Sequence, residues 1–123
     1  MPSQTFEEVV VWQKAHALVL AAYRFSAGFP REETFGLRAQ LRRAAISVPA
    51  NFAEGFGKRG RGDKLRYYNI AQGSLRESRY YLILAADLGY GDATSLLKQL
   101  DEVGRMLNGY MASIPCANRD TDY

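Results

Sequence analysis

Residues 36–62, GLRAQLRRAAISVPANFAEGFGKRGRG, run from an apolar helical stripe through paired arginines into a basic, glycine-rich turn. Leu37, Leu41, Ala44, Ala45, Val48, Phe52 and Phe56 recur at steps of three and four, the period of a helix that buries one side. Arg38, Arg42 and Arg43 fall off that stripe, so core and charge share one element. Pro49 lacks a backbone donor and interrupts the pattern, but the stripe keeps its phase on both sides. A kinked helix is therefore expected, not two helices.

Working outward, residues 6–27, 34–56, 63–88 and 92–114 read as four helices, followed by a polar tail over 115–123. Thr5 and Glu8 have the spacing of a capping box, and Trp12, Ala15, His16, Val19, Leu20 and Tyr23 continue a helical period behind them. Glu32, Glu33 and Thr34 suit the N-terminal end of helix two. The main break in the chain is GFGKRGRGD, residues 55–63, because four glycines in eight residues do not favour continued helix. In helix three, Gly73 and Ser74 are poor helix formers, which suggests a close contact there. Gly89 fits a C-terminal cap and Asp92 the cap of the next helix. Leu96, Leu97, Leu100, Val103, Leu107, Tyr110, Met111 and Ile114 give helix four its stripe, which Pro115 ends. There is no sustained strand alternation, and the connections are short. The expected fold is all-α, an antiparallel up-down-up-down four-helix bundle in a single domain over residues 1–123.

The chain is 123 residues long with 47% hydrophobic side chains, enough for one sizeable core. Charged residues at 24% and eight tyrosines exclude the composition of a disordered chain. No run approaches the ~18 apolar residues that span a bilayer, and the N-terminus lacks the pattern of a secretory signal. A cytoplasmic protein is expected, with no membrane partner. Cys116 is the one cysteine and reads as a plain tail thiol.

Net charge is only +3, yet residues 31–79 carry eleven Lys and Arg against five Asp and Glu. The remainder is net acidic. Such segregation suggests a local positive field, for which nucleic acid is the commonest acidic partner, the alternative being a solvated face that aids solubility. Lys58, Arg59, Arg61, Lys64 and Arg66 cluster around the flexible turn, where their charges can approach phosphates; Arg38 and Arg42 are weaker candidates. Contacts of this kind are electrostatic and weaken steeply with salt. Tyr67 and Tyr68 beside them could stack on bases, although tyrosines at helical spacing also suit a core or interface.

Catalytic readings find little support. GFGKRG follows a helix where a phosphate-binding loop follows a strand, and it lacks the Gly-Lys-Ser/Thr ending. Glu54 and Glu77 could form an acid–base pair, but a helix-bundle metal site needs Glu-x-x-His repeats and His16 is the one histidine. The more economical reading joins Arg43, Asn51, Glu54 and Glu77 in a polar network that fixes helix register or a subunit contact, with Arg76 as an alternative cation. His16, Ser47, Ser74 and Ser78 have no evident catalytic companion, so no enzyme, metal or cofactor is expected.

Several ordered motifs carry a family resemblance: Val11-Trp12-Gln13-Lys14-Ala15, Phe29-Pro30 with Phe35-Gly36-Leu37, Gln40-Leu41-Arg42-Arg43-Ala44-Ala45, Asn51-Phe52-Ala53-Glu54-Gly55, Gly73-Ser74-Leu75-Arg76-Glu77 and Leu88-Gly89-Tyr90. Through them the chain resembles the four-helix-bundle proteins encoded by intervening sequences of bacterial large-subunit ribosomal RNA genes. The accessory proteins of diversity-generating retroelements look like a related branch. Phe52 stands where the family usually has Ile, a change expected to be absorbed by packing. The resemblance implies a ring-like homopentamer and, in the retroelement branch, a basic surface that binds RNA or DNA and a partner reverse transcriptase. For the ribosomal-insert branch it implies no settled activity. Helices one and three independently show apolar coverage wider than one internal stripe needs, as self-association would require.

Overall fold

Four α-helices and no strands make up the described residues, 3–115, of the computed structural model: α1 Val10–Ala27, α2 Leu37–Phe56, α3 Arg61–Asp87 and α4 Thr94–Ser113. Cys116 and the rest of the expected tail lie outside the described residues. α1 packs on α2 and α4, and α3 packs on the same two helices. Across α2 and α3, Arg43 meets Glu77 while Ser47 meets Ser74. Across α3 and α4, Gln72 meets Asn108 while Arg79 meets Asp101. As one number rises the other falls in both pairs of helices. α1 and α2 follow suit, since Arg42 reaches Tyr23 while Trp12 and Ala53 share a groove. The helices thus alternate in direction around a common core.

The stripe that opens the sequence supplies much of that core. Leu37, Leu41, Ala44, Ala45, Val48 and Phe52 are buried, as are Leu18, Leu82 and Leu107 from the other three helices. Each Leu, Val or Phe side chain among them contributes about 1.5–3 kcal/mol on removal from water, and each Ala less. Phe52 stacks on Tyr68 at 5.0 Å between ring centroids and meets Tyr110 edge-on at 5.1 Å, so the larger ring has an aromatic pocket to fill.

Several boundaries differ from the sequence expectation. α1 starts at Val10, because the Thr5–Glu8 hydrogen bond, 3.2 Å, belongs to a separate 3-10 turn over Phe6–Glu8. Extended backbone at Val9 divides the two. α2 starts at Leu37, where Glu33 Oε1 accepts from the Leu37 N–H at 2.9 Å and satisfies a first-turn donor. It is not split at Pro49. The break in residues 55–63 is narrower than expected: Gly55 is a buried residue of α2, Arg61 and Gly62 belong to α3, and residues 57–60 connect the two. Gly55 is required by proximity, since a Cβ there would lie 2.7 Å from the Tyr68 ring and 3.1 Å from the Lys64 carbonyl.

At the opposite end, Gly89 (φ +80) closes α3: the Tyr90 N–H bonds the Ala85 carbonyl at 2.9 Å and the Gly89 N–H that of Ala86 at 3.0 Å. α4 starts at Thr94, whose N–H bonds Asp92 Oδ1 at 3.0 Å. No helix among the described residues is long and apolar enough to cross a membrane.

Candidate functional site

The two clusters of arginine in the opening stretch meet different fates. In α2, Arg38 turns back to the C-terminal end of α1, where carbonyls of the last turn lack the i+4 donors of the helix interior. Its Nε donates to the Ser26 carbonyl at 3.0 Å and its Nη2 to the Phe29 carbonyl at 2.6 Å. Arg42 donates from Nε to Ser26 Oγ at 2.8 Å and from Nη2 to the Tyr23 carbonyl at 3.1 Å, and its guanidinium lies 4.4 Å from the Tyr23 ring centroid. Both cations therefore sit at the negative end of the α1 dipole as a clasp. Their Nε and Nη2 groups are thus engaged within the protein and fix each guanidinium against α1.

The second cluster surrounds the α2–α3 connection. Lys64 behaves like the clasp, since its Nζ donates to the Phe56 carbonyl at 2.8 Å and to that of Gly55 at 3.3 Å. Partial burial lowers its pKa. Lys58 and Arg66 instead converge on Tyr67, with Lys58 Nζ 5.3 Å and the Arg66 guanidinium 4.9 Å from the ring centroid. Arg59 is exposed and Arg61 half-buried. Among the described residues none of Lys58, Arg59, Arg61 and Arg66 is in an ion pair. Four cations and one half-buried tyrosine thus share a rim whose one carboxylate, the exposed Asp63 in the first turn of α3, forms no ion pair with them among the described residues.

Tyr68 does not join this rim. It is fully buried in the Phe52 cluster, where its hydroxyl has no hydrogen-bond partner among the described residues and burial raises its pKa.

The expected network of Arg43, Asn51, Glu54 and Glu77 is two separate groups with one residue outside both. Arg43 and Glu77 form an ion pair, and Tyr81 donates to the same carboxylate at 2.7 Å. The tyrosine hydrogen bond, then the arginine, holds Glu77 below the ordinary carboxylate range. Asn51 Nδ2 donates instead to the Ser47 carbonyl and Oγ, both at 2.8 Å, and Ser74 Oγ donates to Ser47 Oγ at 2.7 Å. This chain accounts for the small residue at Ser74. Glu54 is exposed and joins neither group, because it sits on the outer side of α2. Arg76 also stays away from Glu77 and lines the α3–α4 surface.

One apolar feature goes beyond the sequence expectation. Trp12, His16, Val19, Ile46, Pro49, Ala50 and Ala53 line a groove of about 280 Å3 between α1 and α2, in which His16 stacks on Trp12 at 5.2 Å and 6°. The i, i+4 spacing of Trp12 and His16, matched by Ile46, Pro49 and Ala53, is the signal for it in the sequence. No group of three or more His, Cys, Asp or Glu side chains able to hold a metal occurs among the described residues.

The family model for the 23S rRNA-intervening sequence protein matches residues 7–109, which takes in all four helices apart from the last residues of α4. The chain belongs to that family. Among solved structures, it is similar to a protein of unknown function from the S23 ribosomal protein family of Bacteroides thetaiotaomicron. Sequence identity is 22%, the TM-score is 0.74, and the match covers 84% of this chain and 99% of the other. At that identity the likeness bears on the fold. No curated protein matches the chain. For this member of the intervening-sequence family, both the motif around Arg42 and Arg43 and the Leu88-Gly89-Tyr90 motif serve visible structural roles: the clasp, the Glu77 pair and the α3 cap.

Proposed function

We propose that the chain is a non-enzymatic, homo-oligomeric bundle that holds RNA or DNA electrostatically through Lys58, Arg59, Arg61 and Arg66. The observation that carries this reading is a rim without ion pairs among the described residues: four cations around a four-residue connection, with Tyr67 beneath two of them. Cations without a carboxylate partner gain from phosphates by releasing the counterions of the nucleic acid. Nothing in the rim offers a base-reading element, so little sequence preference is expected. Repetition of the rim in an oligomer adds valency, and the pentamer implied by the resemblance would present it five times.

The test is binding of structured RNA and duplex DNA at two salt concentrations, for wild type and for Lys58→Glu, Arg59→Glu and Arg61→Glu combined. Salt-sensitive binding that disappears in the triple variant supports the reading. Absence of such binding in the wild type contradicts it.

A second reading, a protein-interaction scaffold whose partner could be a retroelement reverse transcriptase, draws support from the exposed apolar residues. Ile46 borders the Trp12 groove, while Ile70, Tyr80 and Ile83 on α3, with Leu88 just past its end, leave large apolar side chains in contact with water. The same surfaces suit self-association. Light scattering at micromolar concentration separates a monomer from an oligomer, and co-purification with a reverse transcriptase encoded beside the gene tests the scaffold.

A further inference from the structure

One apolar side chain stands apart on the surface. Phe35, in the connection from α1 to α2, is 93% exposed, whereas the other exposed large apolar side chains among the described residues lie between 39% and 58%. Phe29 before it and Leu37 after it both close the core, so the connection turns this one ring outward. Scattered apolar residues on a surface are ordinary, but a phenylalanine left almost wholly in water forfeits the gain that burial brings.

The groove between α1 and α2 is a matching concavity. Trp12 and His16 come from the first half of α1, and Ile46, Pro49, Ala50 and Ala53 from the middle and second half of α2. None of its lining residues is Asp, Glu, Lys or Arg. A cavity of about 150 Å3 holds a benzene ring, and this groove has about 280 Å3 with the stacked Trp12 and His16 rings as an aromatic wall. Phe35 does not reach the groove of its own chain. It stands two residues ahead of α2, whereas Ala50 lies thirteen residues past the first one, about 20 Å along the axis. A second copy brings the same ring to it from outside.

We propose that Phe35 of one copy seats in the Trp12–His16 groove of a second copy and anchors the homo-oligomer. The inference rests on the oligomeric part of the function proposed above and not on what the rim binds. A ring and a groove on different parts of one molecule make a head-to-tail contact, which two copies satisfy reciprocally or several satisfy in a closed ring. Charge favours the same pairing. The two connections at the Phe35 end carry Arg31 against Glu32, Glu33 and Asp92, while the connection at the groove end carries Lys58 and Arg59 with no acid. Opposite ends therefore attract, which steers the copies together. Area makes Phe35 the anchor of a wider contact. A seated ring removes about 150–250 Å2 of its own surface and a similar area of the walls, short of the roughly 1,000 Å2 of a specific interface. Leu20 and Tyr23, which continue the line of Trp12 and His16 along α1, are 43% and 39% exposed, and Ile46 beside them 42%. Covering them extends the contact towards that size.

Trp12 is the one tryptophan of the chain, so its emission reads the groove directly. The test is light scattering and tryptophan emission of the full chain over a dilution series, for wild type, Phe35→Ala and Ala50→Arg, with circular dichroism as the check on folding. Phe35 faces water and Ala50 is an exposed helix position, so both variants should keep their helical content. The wild type should be an oligomer whose Trp12 emission moves to the red as dilution empties the groove. Each variant should dissociate at a concentration about thirtyfold higher or more, the loss expected when an aromatic anchor is removed from its pocket. Mixing the variants tests the pairing itself: Phe35→Ala keeps the groove and Ala50→Arg keeps the ring, so the mixture should form pairs at concentrations where neither variant alone does. Variants that assemble as the wild type does overturn this contact and leave the oligomer standing, whereas a monomeric wild type overturns both. A mixture that stays monomeric overturns the seating of Phe35 in the groove.

Discussion

The clasp at the end of α1 and the rim between α2 and α3 are built from the same residue types and use them in opposite ways. Arg38 and Arg42 donate to the carbonyls of Tyr23, Ser26 and Phe29 in and just past the last turn of α1, so their charge stabilises a helix end. Lys58, Arg59, Arg61 and Arg66 have no such carbonyls and no ion pair among the described residues, and Tyr67 is the group that answers two of them. Lys64 shows the boundary between the two uses, for it belongs to the rim by sequence and to the carbonyls of Gly55 and Phe56 by contact. A basic residue therefore reads as a binding residue only after the local carbonyls have been counted.

Removing the clasp should have the largest effect on stability. Arg38→Ala deletes charge-assisted bonds to two carbonyls, and we expect a loss of about 2–3 kcal/mol in chemical unfolding with nucleic-acid affinity retained. A stability change near zero would dissolve the distinction. The root of the rim is as tightly packed as its tip is free. Gly55→Ala places a methyl 2.7 Å from the Tyr68 ring, and we expect a net loss of about 1–2 kcal/mol after the gain in helix propensity is set against overpacking. Lys64→Met keeps the stem over Phe56 and removes the charge from the α2 carbonyls, for an expected loss of about 0.5–1 kcal/mol. A drop in affinity as large as that of the other rim cations would return Lys64 to the binding surface.

Acid should weaken the supports of the bundle while leaving the rim charged. Glu77 is held below its ordinary value of 4.5 by Tyr81 and Arg43, Glu33, also below 4.5, by the Leu37 N–H and Tyr90, and Asp92 below 3.8 by Thr94. A carboxylate whose native pKa is depressed contributes stability that is present above its unfolded pKa and lost as pH falls through the native value. Thermal midpoints should thus be level from neutral pH down to about 5 and fall below 4.5. Glu77→Gln should flatten part of that fall, and a slope unchanged in this variant would remove Glu77 from the account.

The fold was legible because it rests on periodicity. The stripe from Leu37 to Phe52 is buried as its spacing required, and Gly89 ends α3 as its chemistry predicts, whereas Asp92 bonds the Thr94 N–H from one residue ahead of the cap position, which Ala93 holds. Helix starts were less legible. Thr5 and Glu8 do bond, but the turn they close is not continuous with α1. Gly55 looked like punctuation because the Tyr68 ring that demands it lies thirteen residues further on, on another helix. The same limit governs the site. Arg43 meets Glu77, whereas Glu54 points outward and the carbonyls that take Arg38 and Arg42 come from the preceding helix and the residues just after it. Which cations are free is a property of pairs of elements, and no single stretch displays it.

The most direct test of the central claim is the slope of log affinity for RNA against log salt concentration, measured for wild type, for Lys58→Glu, Arg59→Glu and Arg61→Glu combined, and for Arg38→Ala with Arg42→Ala. Each phosphate that is no longer neutralised reduces the slope by roughly 0.7–0.9. The account predicts a slope flattened by about two to three in the rim variant and unchanged in the clasp variant. Equal flattening in both, or a change confined to the clasp, would contradict it.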